Sequence, residues 1–326
     1  MANVGDTLVN CTGTGTSTDP YIFKNWKGFR ECIVVSSAYC EYDSTVPENE
    51  RIINLNDESP NGVSGIVFNC TSVNGNGCSI INANITTNAN ANSDYDTCAM
   101  YTNGGCSIKN VNFLNVILRQ RHLVGSRIGN HALFAFTNCQ FSILFLNPAN
   151  MDITGSDVAY AKFVGCSITV KTYDYATNTY DDSGNRVFRG GSSSNPGITA
   201  DKCIIDIRCN TLDSSAHRYF VLSDNNYRLF LSNIKVIGRL PNNVELFIGY
   251  CNSSHSKTEN IVVDCESGYV SPWSGDTCGL INTSKIANPS ADSDYTAKNI
   301  HPVTSEELVN VDFLDSIGFP ILKADE

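Results

Sequence analysis

The segment LRQRHLVGSR holds the residues best suited to chemistry, because it places Arg119, Arg121, His122 and Arg127 together. An arginine can stabilise the carboxylate of an acidic substrate, and a histidine can act as a general base. Arg121 and His122 are therefore candidate catalytic residues of a polysaccharide lyase. The same segment also fits a polar turn, or a patch that docks an acidic neighbouring subunit, and this structural interpretation requires fewer assumptions.

Paired carboxylates are the second candidate for catalysis. Glycoside hydrolysis needs two carboxyl groups, about 5 Å apart in retaining enzymes and about 6.5–9.5 Å apart in inverting ones. Asp181 and Asp182 are adjacent, but they fall in an irregular segment rather than on a strand. The other closely spaced acids lie among Ala, Asn and Ser residues typical of solvated turns, at Asp94/Asp96 and Asp292/Asp294.

Three tyrosines in one segment are candidates for binding. Tyr173, Tyr175 and Tyr180 could stack on sugar rings or on another protein, and they could equally pack on their own scaffold. The five histidines are scattered, and no two cysteines have the Cys-x-x-Cys spacing of a zinc site. The sequence therefore predicts no metal site and no cofactor.

A repeated motif must position these candidates. It has the form apolar, any, Asn, apolar, any, apolar, and its copies begin at Ile80, Ile108, Phe136, Phe163, Ala200 and Leu231, with a last, weaker one around Asn260. The fourth position advances from copy to copy by 28, 28, 27, 37, 31 and 27 residues. Such a period indicates stacked structural repeats rather than a conventional globular domain.

The motif predicts a strand with one buried face, preceded by a bend at the Asn or Gly. A period of about 28 residues leaves room for two further short strands and three turns, which is the size of one coil of a parallel β-helix, stacked at about 4.8 Å. We therefore predict an all-β, right-handed, single-stranded parallel β-helix of about seven to nine coils, with short capping helices at both ends.

The chain divides into three parts on this interpretation. Residues 1–60 form an N-terminal segment with a capping helix, 61–300 form the parallel β-helix, and 301–326 form a C-terminal capping helix and tail. Residues 171–198 interrupt the repeat with Gly, Ser, Asn and tyrosines, which predicts an inserted loop or hairpin standing off the coils.

The capping helices are predicted from their first residues. Asn25 can serve as the N-cap of a helix in which Trp26 and later apolar residues share one face. Near the other end, Thr304 and Glu307 have the spacing of a capping box, and Gly318 would end that helix. Caps are expected because an open solenoid end would expose its core and unpaired strand edges.

Fourteen cysteines are unusual in a chain of 326 residues that shows no export signal. We place Cys70, Cys139, Cys166 and Cys203 at one position of the repeat, where a small apolar residue is needed. This pattern predicts reduced cysteines in the core rather than a disulfide framework.

The charge and hydropathy patterns exclude two classes of partner. With 22 basic and 33 acidic residues, the net charge is −11, so the chain should repel phosphate backbones rather than bind nucleic acid. The first residues lack the basic and apolar regions of a signal peptide, and no stretch approaches the length of a membrane span. The sequence predicts a protein made in the cytosol with no membrane partner.

Three segments resemble those of a known class of proteins. GTGTSTDPYIFKNWKGFREC, NGNGCSIINANI and VTSEELVNVDFLDSIGFPIL look like β-helical structural proteins of tailed bacteriophages, and the first two also resemble pectate-lyase-like β-helices in general. The resemblance covers the two ends and the repeat, about two thirds of the chain. It implies a component of the virion, such as a spike, a fibre or another tail- or head-attached protein, assembled with copies of itself, commonly as a trimer, and with other virion proteins.

Three functions stay open at this point. The first is a non-enzymatic virion structural protein for assembly or host-surface attachment. The second is a polysaccharide depolymerase of the pectate-lyase-like fold that acts on a host glycan as a lyase or glycoside hydrolase. Of the motifs that polygalacturonase-like enzymes carry, only Asp181-Asp182 is present. The third is a secreted adhesin, which would require paired cysteines.

Overall fold

The computed structural model describes most of the N-terminal half of the chain and the strands of the rest. The described residues are 2–87, 89, 98–119, 122–126, 132–146, 152–154, 160–172, 185–189, 197–209, 218–224, 229–239, 244–247, 257–265, 269–271, 280–282, 301–303 and 306. None of the helices among them is both long and apolar enough to span a membrane.

The first 85 residues combine short strands with helices. The helices are α1 (Trp26–Ile33), α2 (Leu55–Glu58) and a single 3-10 turn at Glu48–Glu50. The strands are β1 (Tyr21–Phe23), β2 (Tyr39–Tyr42), β3 (Ile52–Asn54), β4 (Ile66–Phe68), β5 (Ser72–Ile81) and β6 (Asn84–Ile85).

Strands alone make up the regular structure described after residue 85. Those of the middle part are β7 (Cys98–Thr102), β8 (Cys106–Leu118), β9 (His122–Ser126), β10 (Leu133–Thr137), β11 (Gln140–Phe145), β12 (Asp152–Thr154), β13 (Tyr160–Val164), β14 (Ser167–Thr172) and β15 (Asn185–Arg189). Those that follow are β16 (Gly197–Cys209), β17 (Arg218–Asp224), β18 (Leu229–Arg239), β19 (Val244–Phe247), β20 (Lys257–Cys265), β21 (Tyr269–Ser271), β22 (Leu280–Asn282) and β23 (His301–Val303).

Parallel pairing of successive coils organises these strands. The main sheet has 15 strands and runs β1-β2-β5-β8-β10-β13-β16-β18-β20-β22-β23, with β3, β6, β11 and β14 attached beside this path. Two shorter sheets, β4-β7-β9-β12 and β15-β17-β19-β21, have four strands each. The prediction of an all-β fold of stacked parallel coils is confirmed. The number of coils is not, since the structure supports about four turns rather than seven to nine.

The bend in the repeat is a residue with a left-handed backbone. Positive φ angles recur at Asn110 (55°), Asn138 (51°), Gly165 (62°), Lys202 (53°) and Asn233 (54°), each at the third position of a predicted copy. Glycine and asparagine adopt this conformation more readily than other residues, because glycine has no Cβ and the asparagine side chain can bond locally. The asparagine or glycine of the motif therefore marks a sharp corner that recurs in successive coils and needs a left-handed backbone.

The first predicted copy of the motif was assigned to the wrong corner. Strand pairing places Cys78 opposite Val111, whereas the sequence analysis placed Ala83 there. Asn82 instead forms a second corner with Asn115, at φ of 61° and 53°. The two corners follow one another in the same coil with the same apolar spacing, so the periodicity alone could not separate them.

The cysteines form two stacks rather than one. Cys139, Cys166 and Cys203 follow the corner in successive coils, as predicted, and all three are buried. Cys70 belongs elsewhere, because its thiol lies 3.6 Å from that of Cys106. The prediction that Cys70 shares the position of the other three is therefore wrong. The ten cysteines whose side chains the structure describes are free thiols.

Helix α1 covers the N-terminal end of the core as predicted. Its N-cap is Asn25, whose side-chain oxygen accepts a hydrogen bond from the Gly28 backbone N–H at 2.9 Å. Trp26, Phe29 and Cys32 are buried on its inner face. The predicted C-terminal helix after residue 303 lies outside the described residues, apart from Glu306.

The segment 171–198 is not a single loop. β14 continues to Thr172, β15 pairs in parallel with β17, and β16 already begins at Gly197. Phe188 of β15 is fully buried, and its ring centroid lies 5.6 Å from that of Phe163. The loop prediction is therefore wrong over residues 185–189, because one buried phenylalanine is too short a pattern to reveal a strand. The rest of the segment between Thr172 and Gly197 lies outside the described residues.

We expect replacement of Asn138 by alanine to lower the free energy of unfolding by about 1–2 kcal/mol, the cost of a left-handed backbone for a residue with a Cβ. Asn138→Gly should keep most of the stability, as Gly165 does at the same corner of the next coil. Chemical denaturation of the two variants measures the difference. Equal losses in both would show that the Asn138 side chain matters rather than its backbone conformation.

An acidic side chain near α1 gives the fold a defined pH dependence. Asp43 forms an ion pair with Lys24, with 2.8 Å between the carboxylate oxygen and the ammonium nitrogen. It also accepts hydrogen bonds from the hydroxyl and the backbone N–H of Thr45, at 2.6 and 2.8 Å. The Lys24 ammonium and the Thr45 donors lower the pKa of Asp43 from 3.8 to about 2.

Because the pKa of Asp43 is lower in the folded state, its contribution to stability is present above pH 4 and is lost as the pH falls towards 2. The wild-type protein should therefore lose more unfolding free energy between pH 4 and pH 2 than Asp43→Asn. Denaturation curves at pH 4, 3 and 2 measure the two slopes, and parallel slopes would contradict the assignment.

Candidate functional site

The candidate functional site is an open groove on the outside of the solenoid, lined by residues from several coils. It encloses about 390 Å³. We name it the asparagine groove and define it by its lining residues: Asn56, Ser59, Pro60, Gly62, Asn82, Asn84, Asn115, Ile117, Ser142, Leu144 and Lys171. One wall is α2 with the loop that follows it, and the floor is the outer face of coils that include β6, β8, β11 and β14.

Strand register aligns the floor of the groove. Asn84 pairs with Ile117, Ile117 with Leu144, and Leu144 with Lys171, so one residue per coil stands in a row across four coils. Their neighbours along each strand, such as Ile85 and Ile143, are buried in the core. Because strand side chains alternate between faces, the row must point outward.

The second corner supplies the amides of the groove. The side-chain N–H of Asn82 donates to the Asn54 side-chain oxygen at 2.9 Å, and that of Asn115 donates to the Asn82 oxygen at 3.4 Å. The left-handed backbone at Asn82 and Asn115 brings the two amides into this stack. Three coils therefore present a fixed column of asparagine side chains beside the floor.

The wall of the groove approaches the floor closely at Gly62. This residue has φ of +88°, and a Cβ there would lie 2.9 Å from the Asn84 carbonyl oxygen and 2.8 Å from the methyl group of Thr86. The next residue, Val63, donates its backbone N–H to the same carbonyl at 2.8 Å. A side chain at position 62 would push the wall away from the floor.

Asn84 has an unused hydrogen-bond acceptor. Its side-chain oxygen is buried and has no hydrogen-bond partner among the residues that the structure describes. Leaving a buried acceptor unsatisfied costs about 1–3 kcal/mol. A ligand hydroxyl or amide that enters the groove could remove this cost, so the atom favours a ligand that carries hydrogen-bond donors.

The far end of the groove is cationic. Lys171 is exposed, and Arg208 of the next coil is paired with it in register. The guanidinium Nε of Arg208 also bonds both carboxylate oxygens of Asp206 at 2.9 Å. None of the groove's lining residues is an aspartate or glutamate.

This combination of groups is suited to binding a saccharide. The asparagine amides and Ser142 can exchange hydrogen bonds with sugar hydroxyls, while the half-buried Ile117 and Leu144 offer an apolar strip to a ring face. Lys171 can pair with a carboxylate or phosphate on the sugar. The pair of carboxylates that glycoside hydrolysis uses is not part of the lining.

His122, the one predicted site residue that the structure describes, does not line this groove. His122 lies on β9 with 1% of its surface exposed, where its backbone pairs with Cys98 on one side and Asp152 on the other. Such burial leaves no room for a polysaccharide beside its imidazole. The other candidates all lie outside the described residues: Arg121, Asp181, Asp182, Tyr173, Tyr175 and Tyr180.

The sequence analysis missed the groove. A signal was present, because Phe113-x-Asn115-Val116-x-Leu118 repeats the asparagine motif directly after the copy that begins at Ile108. A second corner in one coil creates a second column of amides, and that column lines the groove. Within the described part of the chain, no group of three or more histidines, cysteines or acidic residues could hold a metal ion.

Comparisons of the chain with protein-family models, with curated proteins and with solved structures gave no match. The site is therefore interpreted from its own geometry.

Proposed function

We propose that this chain is a non-enzymatic structural protein of a tailed-phage virion that contacts a glycan of the host surface through the asparagine groove. In this proposal the chain is a right-handed β-helix that serves as a spike, a fibre or another tail- or head-attached component. The resemblance of its ends and repeat to β-helical virion proteins supports the assignment to a virion.

The asparagine groove is the observation that supports a role in attachment. It combines a buried unsatisfied oxygen of Asn84, a fixed column of amides, an apolar strip and the ammonium group of Lys171. Each of these groups recognises part of a sugar, and none of them is a nucleophile or an acid–base pair. Binding without cleavage is therefore the function that this chemistry favours.

The core supports a role as a rigid scaffold. Aromatic rings stack from coil to coil, with centroid distances of 5.2 Å between Phe136 and Phe163 and 5.5 Å between Phe113 and Phe141. Asparagines and thiols form further columns in the same direction. A continuous, densely packed core of this kind resists local opening, as a particle exposed to the environment requires.

The proposed partners are further copies of this chain, assembled as a trimer or another homo-oligomer, and other virion proteins. The net charge of −11 favours a basic neighbouring surface and disfavours direct contact with DNA. The protein would be made in the host cytoplasm and then reside on the virion.

A polysaccharide depolymerase of the pectate-lyase-like fold is the alternative. The observation that favours it is the cationic end of the groove, where Lys171 and Arg208 lie in adjacent coils with Asp206 beside Arg208. Cations placed in this way could stabilise an acidic sugar during a lyase reaction. Release of unsaturated or reducing ends from host glycans would identify this activity.

Mass spectrometry of purified virions tests the location. We expect the chain to be present in a fixed stoichiometric ratio to the other structural proteins after gradient purification. A chain found only in the cell lysate or the culture supernatant would overturn the virion assignment.

Binding measurements on the isolated protein test the groove. We expect oligosaccharides prepared from the host capsule or wall to bind, and Lys171→Ala and Asn84→Ala each to raise Kd by about tenfold, the loss of one strong hydrogen bond. Lys162→Ala is the matched control, since this exposed lysine lies on β13 outside the groove.

We expect no cleavage products of the oligosaccharides in the same samples. Equal affinity of the wild type and both groove variants would refute the groove as the glycan site. Cleavage that is lost in Lys171→Ala would favour the depolymerase instead.

A further inference from the structure

The asparagine amides that bond from coil to coil point in one direction. In each of these hydrogen bonds, the amide N–H belongs to the later coil and the acceptor side chain to the earlier one. Within the described part of the chain this holds for Asn82, Asn110, Asn112, Asn115 and Asn233. The amide dipoles are therefore aligned along the solenoid.

One run of these amides lines the asparagine groove and ends on a carboxylate. We define the groove ladder as Asn115, Asn82, Asn54 and Asp57. The amide bonds measure 3.4 Å from Asn115 to Asn82 and 2.9 Å from Asn82 to Asn54. The Asn54 side-chain N–H then donates to the Asp57 carboxylate on α2 at 2.7 Å. The ladder thus joins the corner of three coils to the helix that forms the groove wall.

A second run of amides lies at the other corner of the same coils. We define the corner ladder as Asn110, Asn74, Asn76 and Glu41. The Asn110 N–H donates to the Asn74 oxygen at 3.2 Å, and the Asn74 N–H donates to the Asn76 oxygen at 2.7 Å. The Asn76 N–H donates to the Glu41 carboxylate at 2.7 Å. This ladder also ends on a carboxylate, and none of its residues lines the groove.

The carboxylate at its end decides the direction of a ladder. A run of amides can make the same hydrogen bonds in either direction, because each amide carries both a donor and an acceptor. An ionised carboxylate only accepts, so it requires the N–H of the first amide to face it. The oxygen of Asn54 is held away from Asp57 in addition, because it accepts the Asn56 backbone N–H at 3.2 Å. Since hydrogen bonds in a chain polarise one another, the charge of Asp57 also strengthens the later bonds.

The direction of the groove ladder determines which atoms the groove offers to a ligand. Asn115 gives an N–H to Asn82, which leaves its side-chain oxygen at the open end of the ladder. The buried oxygen of Asn84 is a second acceptor in the same groove. A ligand hydroxyl or amide N–H satisfies such acceptors, whereas an ether or ester oxygen leaves them unpaired at a cost in affinity.

We propose that Asp57 is a specificity-determining residue of the asparagine groove. By fixing the direction of the groove ladder, it makes the groove select saccharides with free hydroxyl or amide hydrogens over saccharides whose hydroxyls are blocked as ethers or esters. This inference rests on the proposed function, because it names the class of glycan that the groove takes. Asp57 acts through Asn54 and Asn82 and is therefore a positioning residue.

Glu41 provides a matched control for Asp57. It ends a ladder of the same kind in the same coils, but that ladder lies outside the groove. Asp57→Asn and Glu41→Gln each remove one negative charge with almost no change in side-chain size. A general effect of charge should appear in both variants, whereas an effect on groove specificity should appear in Asp57→Asn alone.

Side-chain amide NMR of the full chain tests the ladder without a ligand. In protein made with isotope-labelled asparagine, we expect Asp57→Asn to move the amide proton signals of the groove ladder upfield, because the anionic acceptor is lost. The shift should be largest for Asn54 and should still be detected for Asn115, two coils away. Glu41→Gln should move the signals of the corner ladder and leave those of the groove ladder in place.

Affinity measurements test the specificity. The probes are oligosaccharides from the host capsule or wall, and the same preparation after light O-methylation, which turns some hydroxyl donors into ethers. We expect the wild type and Glu41→Gln to bind the methylated preparation about tenfold more weakly, the loss of one well-placed hydrogen bond. Asp57→Asn should reduce this ratio to about threefold or less, because a neutral amide no longer excludes the reversed ladder. A variant that only weakens the fold lowers both affinities and leaves their ratio unchanged.

The outcomes separate this inference from the proposed function. An unchanged affinity ratio in Asp57→Asn would overturn the inference, and so would an Asn115 signal that does not move. An equal fall of the ratio in Glu41→Gln would also overturn it, since the effect would then be one of charge alone. If the wild type binds neither preparation, the proposed function fails together with the specificity, while the amide signals still decide what sets the direction of the ladder.

Discussion

The left-handed corner at the third position of the motif is the constraint on which the rest of the structure depends. It places the bend at the same position in successive coils. It therefore fixes which residues of neighbouring strands pair with each other. Since strand side chains alternate between faces, a shift of one residue would exchange core and surface along the whole strand. The stacked phenylalanines and the column of Cys139, Cys166 and Cys203 follow from this register.

Much of the fold could be predicted from the sequence, because the motif is local. Alternation over six residues identifies a strand, and an asparagine or glycine before it identifies a corner. The helix α1 could be predicted for the same reason, since Asn25 and the apolar face that follows are close in sequence. The prediction failed where two identical signals competed, at Asn82 and Asn110, and where the signal was a single residue, at Phe188.

The groove could not be predicted, because no short stretch of sequence contains it. Asn84, Ile117, Leu144 and Lys171 come from four coils, and their alignment depends on the pairing of β6, β8, β11 and β14. Each residue alone fits an ordinary exposed strand position. The wall formed by α2 adds a second element whose position the repeat does not determine. The sequence also gave no sign that His122 is buried, because it lies among arginines.

Each coil contacts the coils next to it. Evolution can therefore change the length of the solenoid by adding or removing whole coils. The coils from Asn110 to Asn233 share the same kind of corner, and their strands pair in parallel with those of the coils above and below. Duplication of one coil would therefore create two interfaces of a kind the molecule already contains, and it would lengthen the solenoid by about 4.8 Å. The reach of such a protein can thus be adjusted by whole coils, without redesign of the groove or of either end.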